Sequence, residues 1–192
     1  LDLDVESLAF GGNGVARHGG FVVFVRRGLP GDRVRARVTK VKRSHAEALA
    51  TEILSPGKDR VDASCAHFPA CGGCRFQDLA YEAQLAQKEA QVRDSLVRLA
   101  GIAEPPLEPI VPCEPEIFHY RNKLEYSFTQ TPEGAALGFH RAGRWDEVLD
   151  IRKCWLTTDL GNAIREAVRD WTRAQRLVAY DQAEHTGFLR HL

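Results

Sequence analysis

The chain has 192 residues, 44% hydrophobic and 27% charged, with 26 basic and 26 acidic side chains. Such a chain holds one large or two small globular domains. Its balanced charge is silent on nucleic acid, no apolar run approaches the roughly 20 residues of a membrane span, and no signal-peptide pattern opens it. Five cysteines, clustered at metal-type spacing, argue against a disulfide framework and for a reducing cytoplasm. The chain starts at Leu1 and contains no methionine, which predicts a trimmed chain or a piece of a longer one.

Residues 1–57 read as a small all-β barrel. Val5 and Leu8-Ala9-Phe10 lead into the turn Gly11-Gly12-Asn13-Gly14, and Gly19-Gly20 tips a hairpin before the apolar run Phe21-Val22-Val23-Phe24-Val25. After the turn Leu29-Pro30-Gly31-Asp32, Val34, Ala36 and Val38 alternate with Arg33, Arg35 and Arg37, a period of two that puts an apolar face inward. His45 to Leu54 supplies a closing strand. Short strands with glycine-rich turns at this spacing predict a five-stranded OB-like barrel. Arg26, Arg27, Arg33, Arg35, Arg37, Lys40, Lys42 and Arg43 stand against a single acid, Asp32, in the same stretch. Two readings stand side by side: the electrostatic footprint of nucleic-acid binding, and a solvated strand face.

Residues 58–104 hold a cysteine module and a linking helix. Cys65, Cys71 and Cys74 fall within ten residues, and Gly72-Gly73 lets the backbone approach a shared centre. Soft thiolates clustered in this way suit zinc or an iron–sulfur cluster. Both need a fourth ligand, and Cys154 is the best remaining candidate, so the site would staple two distant segments together. A single Cys-x-x-Cys pair with two outlying cysteines tilts the reading towards iron–sulfur, since zinc prefers two matched pairs. His67 is a ligand only in a zinc reading and otherwise a loop histidine. Leu85, Val92, Leu96 and Leu99 keep one face of a helix that Gly101 caps, with Glu82, Gln84, Lys88, Glu89, Arg93 and Asp94 towards solvent. That helix is expected to pack the cysteine module onto the rest.

Pro105, Pro106, Pro109, Pro112 and Pro115 mark a linker over residues 105–116. Pro112-Cys113 has the form of a nucleophile-bearing Pro-Cys pair, but it lies in that linker with no general base nearby. A central α+β domain over 117–192 follows. It has a strand with Leu124, Tyr126 and Phe128 on one face, turns at Pro132-Glu133-Gly134 and Gly143, and a strand from Trp145 to Leu149. A helix capped by Thr158 or Asp159 follows, its apolar face Leu160, Ile164, Val168 and Trp171. Val178 to Leu192 reads as a strand pair cut off mid-element. His119, Tyr120, Arg121, Asn122 and Lys123 combine cations, an amide and aromatics, fit either for phosphates and stacked bases or for a solvated strand start.

Val5 through Arg17, with Pro30-Gly31-Asp32-Arg33-Val34, resembles a TRAM domain. Cys65…Cys71-Gly72-Gly73-Cys74-Arg75-Phe76-Gln77, then Phe118 through Lys123, then Gly187 through Leu192, resembles the bacterial RNA (uracil-5-)-methyltransferases of the RumA/TrmA type. The resemblance implies a [4Fe–4S] cluster on Cys65, Cys71, Cys74 and Cys154, and rRNA or tRNA gripped by the barrel and central domain of a cytoplasmic monomer. It implies S-adenosylmethionine as methyl donor, bound in a further domain that also carries the nucleophilic cysteine and general base. No strand, glycine-rich loop and helix for that domain is found here, so no catalytic residue is assigned and the chain alone is expected not to methylate. In the intact family a thiolate adds to uracil C6, C5 takes the methyl group, and a base removes the C5 proton to release the enzyme, on a base flipped from its stack. The competing expectations are a stand-alone TRAM-type RNA-binding module with a four-cysteine zinc site, and an electron-transfer iron–sulfur protein.

Overall fold

The computed structural model describes residues 1–113 and 116–192; Glu114 and Pro115 of the expected linker lie outside the described residues. The chain forms two compact units, Leu1–Ala63 with Arg75–Pro112, and Ser64–Cys74 with Cys113–Leu192. The stretch 58–104 is thus shared between them. Among the described residues no helix is long and apolar enough to cross a membrane.

The first unit is built on a closed five-stranded barrel of β1 (Asp2–Leu8), β2 (Gly14–His18), β3 (Phe21–Arg26), β4 (Arg33–Val41) and β5 (His45–Ser55), in the order β1-β2-β3-β5-β4. Alternation produces it. Leu3, Val5, Val23, Val25, Val34 and Ala36 are buried, and Ala46, Ala48 and Ala50 let β5 pass close to the axis. Burying one such valine stabilises by about 1.5–3 kcal/mol. Gly14 permits a tight crossing, because a Cβ there would meet the Gly28 carbonyl oxygen at 2.6 Å. The expected inward alternation of β4 holds through Ala36 and then stops: Val38 is 38% exposed and Val41 71%. Val38 still stands opposite the buried Ala48, and the register with β5 shifts only after it, between Val38 and Lys40.

Beside the barrel, Leu79 is buried against Leu8 and Leu29, with Phe76 and Ala83 packed on them. Helix α1 (Tyr81–Arg98) follows, and Gly101 takes a positive φ of 72° just past it, where the Ile102 N–H returns to the Leu96 carbonyl at 3.1 Å. The helix forms where its period predicts, but its expected apolar face is not buried: Val92 is 48% exposed and Leu99 86%. It docks instead through glutamines. Gln87 Oε1 accepts the Leu8 N–H at 2.9 Å, and Gln91 Nε2 donates to the Leu8 carbonyl at 3.1 Å. Gln84, expected towards solvent, is half-buried and donates to the Leu79 carbonyl at 2.7 Å. The helix therefore packs on the barrel, within the barrel's own unit.

The same unit contains a buried ion pair. Asp32, 1% exposed, accepts the Leu29 N–H at 2.7 Å, the Gly57 N–H at 2.9 Å, and Arg60 Nε and Nη2 at 3.0 and 2.6 Å. Arg60 also bonds Asp78. Burial opposes ionisation of Asp32, but these hydrogen bonds and the Arg60 charge outweigh it and hold the carboxyl below its ordinary range.

The second unit carries a three-stranded antiparallel sheet, β6 (Ser127–Thr131), β7 (Gly134–His140) and β8 (Val148–Asp150), and helix α2 (Asp159–Ala174). Strand β6 begins at Ser127, later than expected, and β8 starts at Val148 rather than Trp145. The tail lies along β6 through isolated bridges in place of a regular strand pair: the Phe128 N–H reaches the Arg190 carbonyl at 2.9 Å, and Tyr126 and Leu192 exchange bonds of 2.9 Å. Tyr126, Phe128, Ala135, Leu137 and Ala179 form the core, with Val168 packed against it. Thr158 caps α2, accepting the Gly161 N–H at 3.2 Å. Of the four residues expected on the apolar face of α2, only Val168 packs inward. Asn162, Arg165 and Thr172 are buried, while Leu160, Ile164 and Trp171 are 70%, 53% and 58% exposed.

Candidate metal centre and nucleic-acid interface

The four cysteines singled out by spacing all belong to the second unit. Residues 64–74 lie along the end of β7. The Gly72 N–H donates to the His140 carbonyl at 2.9 Å, the Ala142 N–H to the Ala70 carbonyl at 2.8 Å, and Cys71 bridges Arg141. A Cβ on Gly72 would meet the His140 oxygen at 2.8 Å, so only glycine permits this approach. From the other side, the segment after β8 brings Cys154. Cys71 and Cys154 are buried together with Ile151 and Leu156, and Cys74, Phe139 and Leu149 pack against them. Cys65 is half-buried and close enough to act on the charge of both Cys71 and Cys74.

The polar face of α2 explains how Cys154 is held. Asn162 Oδ1 accepts the Cys154 N–H at 2.8 Å and Nδ2 donates to the Cys154 carbonyl at 3.0 Å, replacing the sheet partners this segment lacks. Arg165 Nη2 bonds the Arg152 carbonyl and Glu166. His67, weighed as a zinc ligand, instead accepts the Arg152 N–H on Nε2 at 3.1 Å, pinning residues 64–74 to the segment that carries Cys154. Burial, followed by the charge of Arg165, lowers its pKa and keeps the ring a neutral acceptor. These backbone clamps were not foreseen. A buried amide on a helix otherwise rich in charge was the signal for Asn162; nothing in the sequence pointed to Arg165.

Electrostatically, burial pushes the Cys74 thiol up to about 11, reinforced by Cys71, Cys154 and Cys65 and opposed by Arg121. Burial likewise raises Cys71, although the Gly73 N–H, 3.4 Å from its sulfur, counters it. Two neighbouring thiols raised in this way do not ionise together without a cation to share. Among the described residues, no group of three or more His, Cys, Asp or Glu side chains is gathered tightly enough to hold a single metal ion. Arg165 is fully buried and paired with Glu166, its Nε and Nη1 have no hydrogen-bond partner, and its guanidinium lies 5.8 Å from the Tyr126 ring centroid. By chemistry the donor set, soft thiols in an apolar cluster, fits a thiolate-ligated group.

The basic residues of the barrel are exposed, but several are already engaged. Arg35 pairs with Asp2 and Glu52, each at 3.0 Å, and Lys42 with Glu47 at 3.1 Å. The acids sit on β1 and β5, which a count along β4 alone does not see, whereas Asp32 is buried and faces none of them. Arg33, Arg37, Lys40 and Arg43 extend to solvent. In the second unit Tyr120, Arg121, Asn122 and Lys123 are exposed. His119 is half-buried, its ring centroid 5.9 Å from that of Trp155, and its Nε2 has no partner. Hydrogen bonds from the His119 and Arg121 N–H groups to the Trp155 and Leu156 carbonyls, at 2.9 and 2.8 Å, place this stretch directly beside Cys154. Cys113 is exposed, and its Sγ lies 3.3 Å from the Glu116 carbonyl.

The TRAM domain family model matches residues 1–51. Across its whole length the chain is 43% identical to an uncharacterized RNA methyltransferase of Nitratidesulfovibrio vulgaris, covering 41% of that protein. The TRAM match and this homologue support the RumA/TrmA-type RNA methyltransferase family. Over 85% of its length it is 37% identical to an uncharacterized RNA methyltransferase of Chlorobaculum tepidum, covering 37% of that relative. The chain thus spans about two-fifths of the curated relatives it matches. Its fold matches that of the Pyrococcus abyssi tRNA (uracil-54, C5)-methyltransferase, solved with S-adenosyl-L-homocysteine. The TM-score is 0.67 at 23% identity, over 99% of this chain and 41% of that one.

Proposed function

We propose that this chain is the RNA-holding part of an S-adenosylmethionine-dependent methyltransferase that makes 5-methyluridine in rRNA or tRNA, and that Cys65, Cys71, Cys74 and Cys154 hold a [4Fe–4S] cluster. S-adenosylmethionine would supply the methyl group; no residue of this chain is assigned to it. The observation that carries the reading is the meeting of Cys71, Cys74 and Cys154 in one apolar pocket, with Cys65 electrostatically coupled to them. The family likeness supplies RNA as partner. The cluster would act as a cross-link, since four thiolates leave no iron open for substrate. Arg33, Arg37, Lys40 and Arg43 would position the RNA backbone together with Arg121 and Lys123, while Tyr120 and Asn122 would meet bases. Arg35, Lys42 and His119 have lesser roles because acids or Trp155 already engage them.

The test is iron, sulfide and zinc content with a visible spectrum on anaerobically purified protein, beside a Cys154→Ala variant. Iron and sulfide in roughly one-to-one ratio, lost in the variant, are expected. Zinc without sulfide would overturn the cluster and favour a TRAM-type RNA-binding module with a four-cysteine zinc site.

A further inference from the structure

The second unit has an open cleft of about 570 Å³ that none of the residues above accounts for. It lies where β6, the β7–β8 turn and the C-terminal tail meet, and its volume is in the range of small-molecule sites. Three features share it. Trp145, on the β7–β8 turn, is 75% exposed. The Arg190 guanidinium lies over the Tyr180 ring, its carbon 3.6 Å from the centroid, and brings a planar fork of N–H donors to the cleft. Ser127 Oγ lies 3.2 Å from His140 Nε2 and 3.4 Å from His191 Nδ1, a row of groups that both donate and accept.

One exposed indole is ordinary on a protein surface. Here it shares a cleft with a second aromatic already carrying a cation and with side-chain hydrogen-bonding groups. The two acids of the cleft are taken up locally. Asp146 binds Arg144 through both oxygens, at 2.9 and 2.8 Å, and Asp181 accepts the Ala183 and Glu184 N–H groups at 2.8 and 3.0 Å. Flat π-faces, a guanidinium plane and amphoteric partners are the chemistry that receives an unstacked base and its phosphate.

We propose that this cleft is a binding site for one unstacked nucleotide of single-stranded RNA, with Trp145 and the Tyr180–Arg190 pair as stacking surfaces and Ser127, His140 and His191 reading the base edge. It rests on the RNA-binding reading above but uses none of the residues named there.

The test is fluorescence anisotropy of the 192-residue chain with a labelled uridine pentamer, with inorganic tripolyphosphate as competitor. Trp145→Ala is expected to weaken pentamer binding about tenfold, the effect of losing one stacked base, Trp145→Phe to restore most of it, and tripolyphosphate competition to stay unchanged. Equal affinity of wild type, Trp145→Ala and Tyr180→Ala for the pentamer would overturn the site and leave the RNA-binding reading standing. Equal weakening for pentamer and tripolyphosphate would overturn base stacking in favour of charge alone. A wild-type chain that binds no pentamer would overturn both readings.

Discussion

Replacing Asp32 by alanine tests the account of the barrel unit most directly. The change removes an acceptor for two backbone N–H groups and for two guanidinium nitrogens, all within 3.0 Å. Arg60 keeps Asp78, but its side chain is only 17% exposed, so its charge stays largely out of water. Removing one partner of a buried pair costs about 3–5 kcal/mol. The two orphaned N–H groups, at about 1–3 kcal/mol each, are part of that figure rather than an addition to it. With a urea slope of about 1–3 kcal/mol/M, the transition of the barrel unit moves down by on the order of 1.5–2 M, and that of the cysteine-bearing unit stays in place. The pH dependence has a fixed sign. Because the fold holds the Asp32 carboxyl below its ordinary range, the pair's contribution is full above roughly pH 4 and is lost as pH falls through the depressed native value. Asp32→Ala therefore flattens the acid limb of stability against pH. A loss below about 1 kcal/mol, in the range of exposed pairs, would refute the reasoning.

Other predictions concern the remaining surfaces and clamps. Joint replacement of Arg37, Lys40 and Arg43 by alanine should weaken RNA binding and lower the slope of log affinity against log salt by up to about 3. Arg35→Ala, whose guanidinium Asp2 and Glu52 already engage, should change that slope little; a full unit lost would contradict the pairing. Asn162→Ala strands the buried N–H and carbonyl of Cys154, and thermal unfolding should show about 2–4 kcal/mol lost from the cysteine-bearing unit. Gly138→Ala puts a Cβ 1.7 Å from the Leu149 carbonyl oxygen, so about 1–3 kcal/mol should disappear as β8 is displaced, detectable as early amide exchange across β7 and β8.

The barrel was legible because it obeys a local rule. Val5, Val23, Val25, Val34 and the alanines of β5 fall at alternate positions, and a side chain's face follows from that parity alone. Val38 marks the limit of that rule: it keeps the parity of Val34 and Ala36 and stands opposite the buried Ala48, yet is 38% exposed. The helices were legible in extent but not in orientation. Both α1 and α2 turn amides towards irregular chain whose backbone groups lack sheet partners: Gln87 and Gln91 at the end of β1, and Asn162 at Cys154. That demand is set by distant segments, so hydrophobic periodicity points to the wrong face and leaves Leu160, Ile164 and Trp171 outside. The cysteine grouping was legible because thiol chemistry is rare enough to stand out. The clamps of Asn162, Arg165 and His67 were not, because each acts on backbone atoms.

The order in which the two units are threaded has a consequence for synthesis. Residues 64–74 leave the first unit for the second, and the chain returns to the first over 75–112. Cys154 follows Cys74 by 80 residues. At ribosomal rates of about 5–20 residues per second, three thiols wait on the order of 4–16 s for the fourth. During that interval the barrel strands are complete and can fold, while Cys65, Cys71 and Cys74 lack Ile151 and Leu156 to bury them. Nascent chains are thus most open to thiol oxidation in a window whose length the gene sets and the finished fold closes.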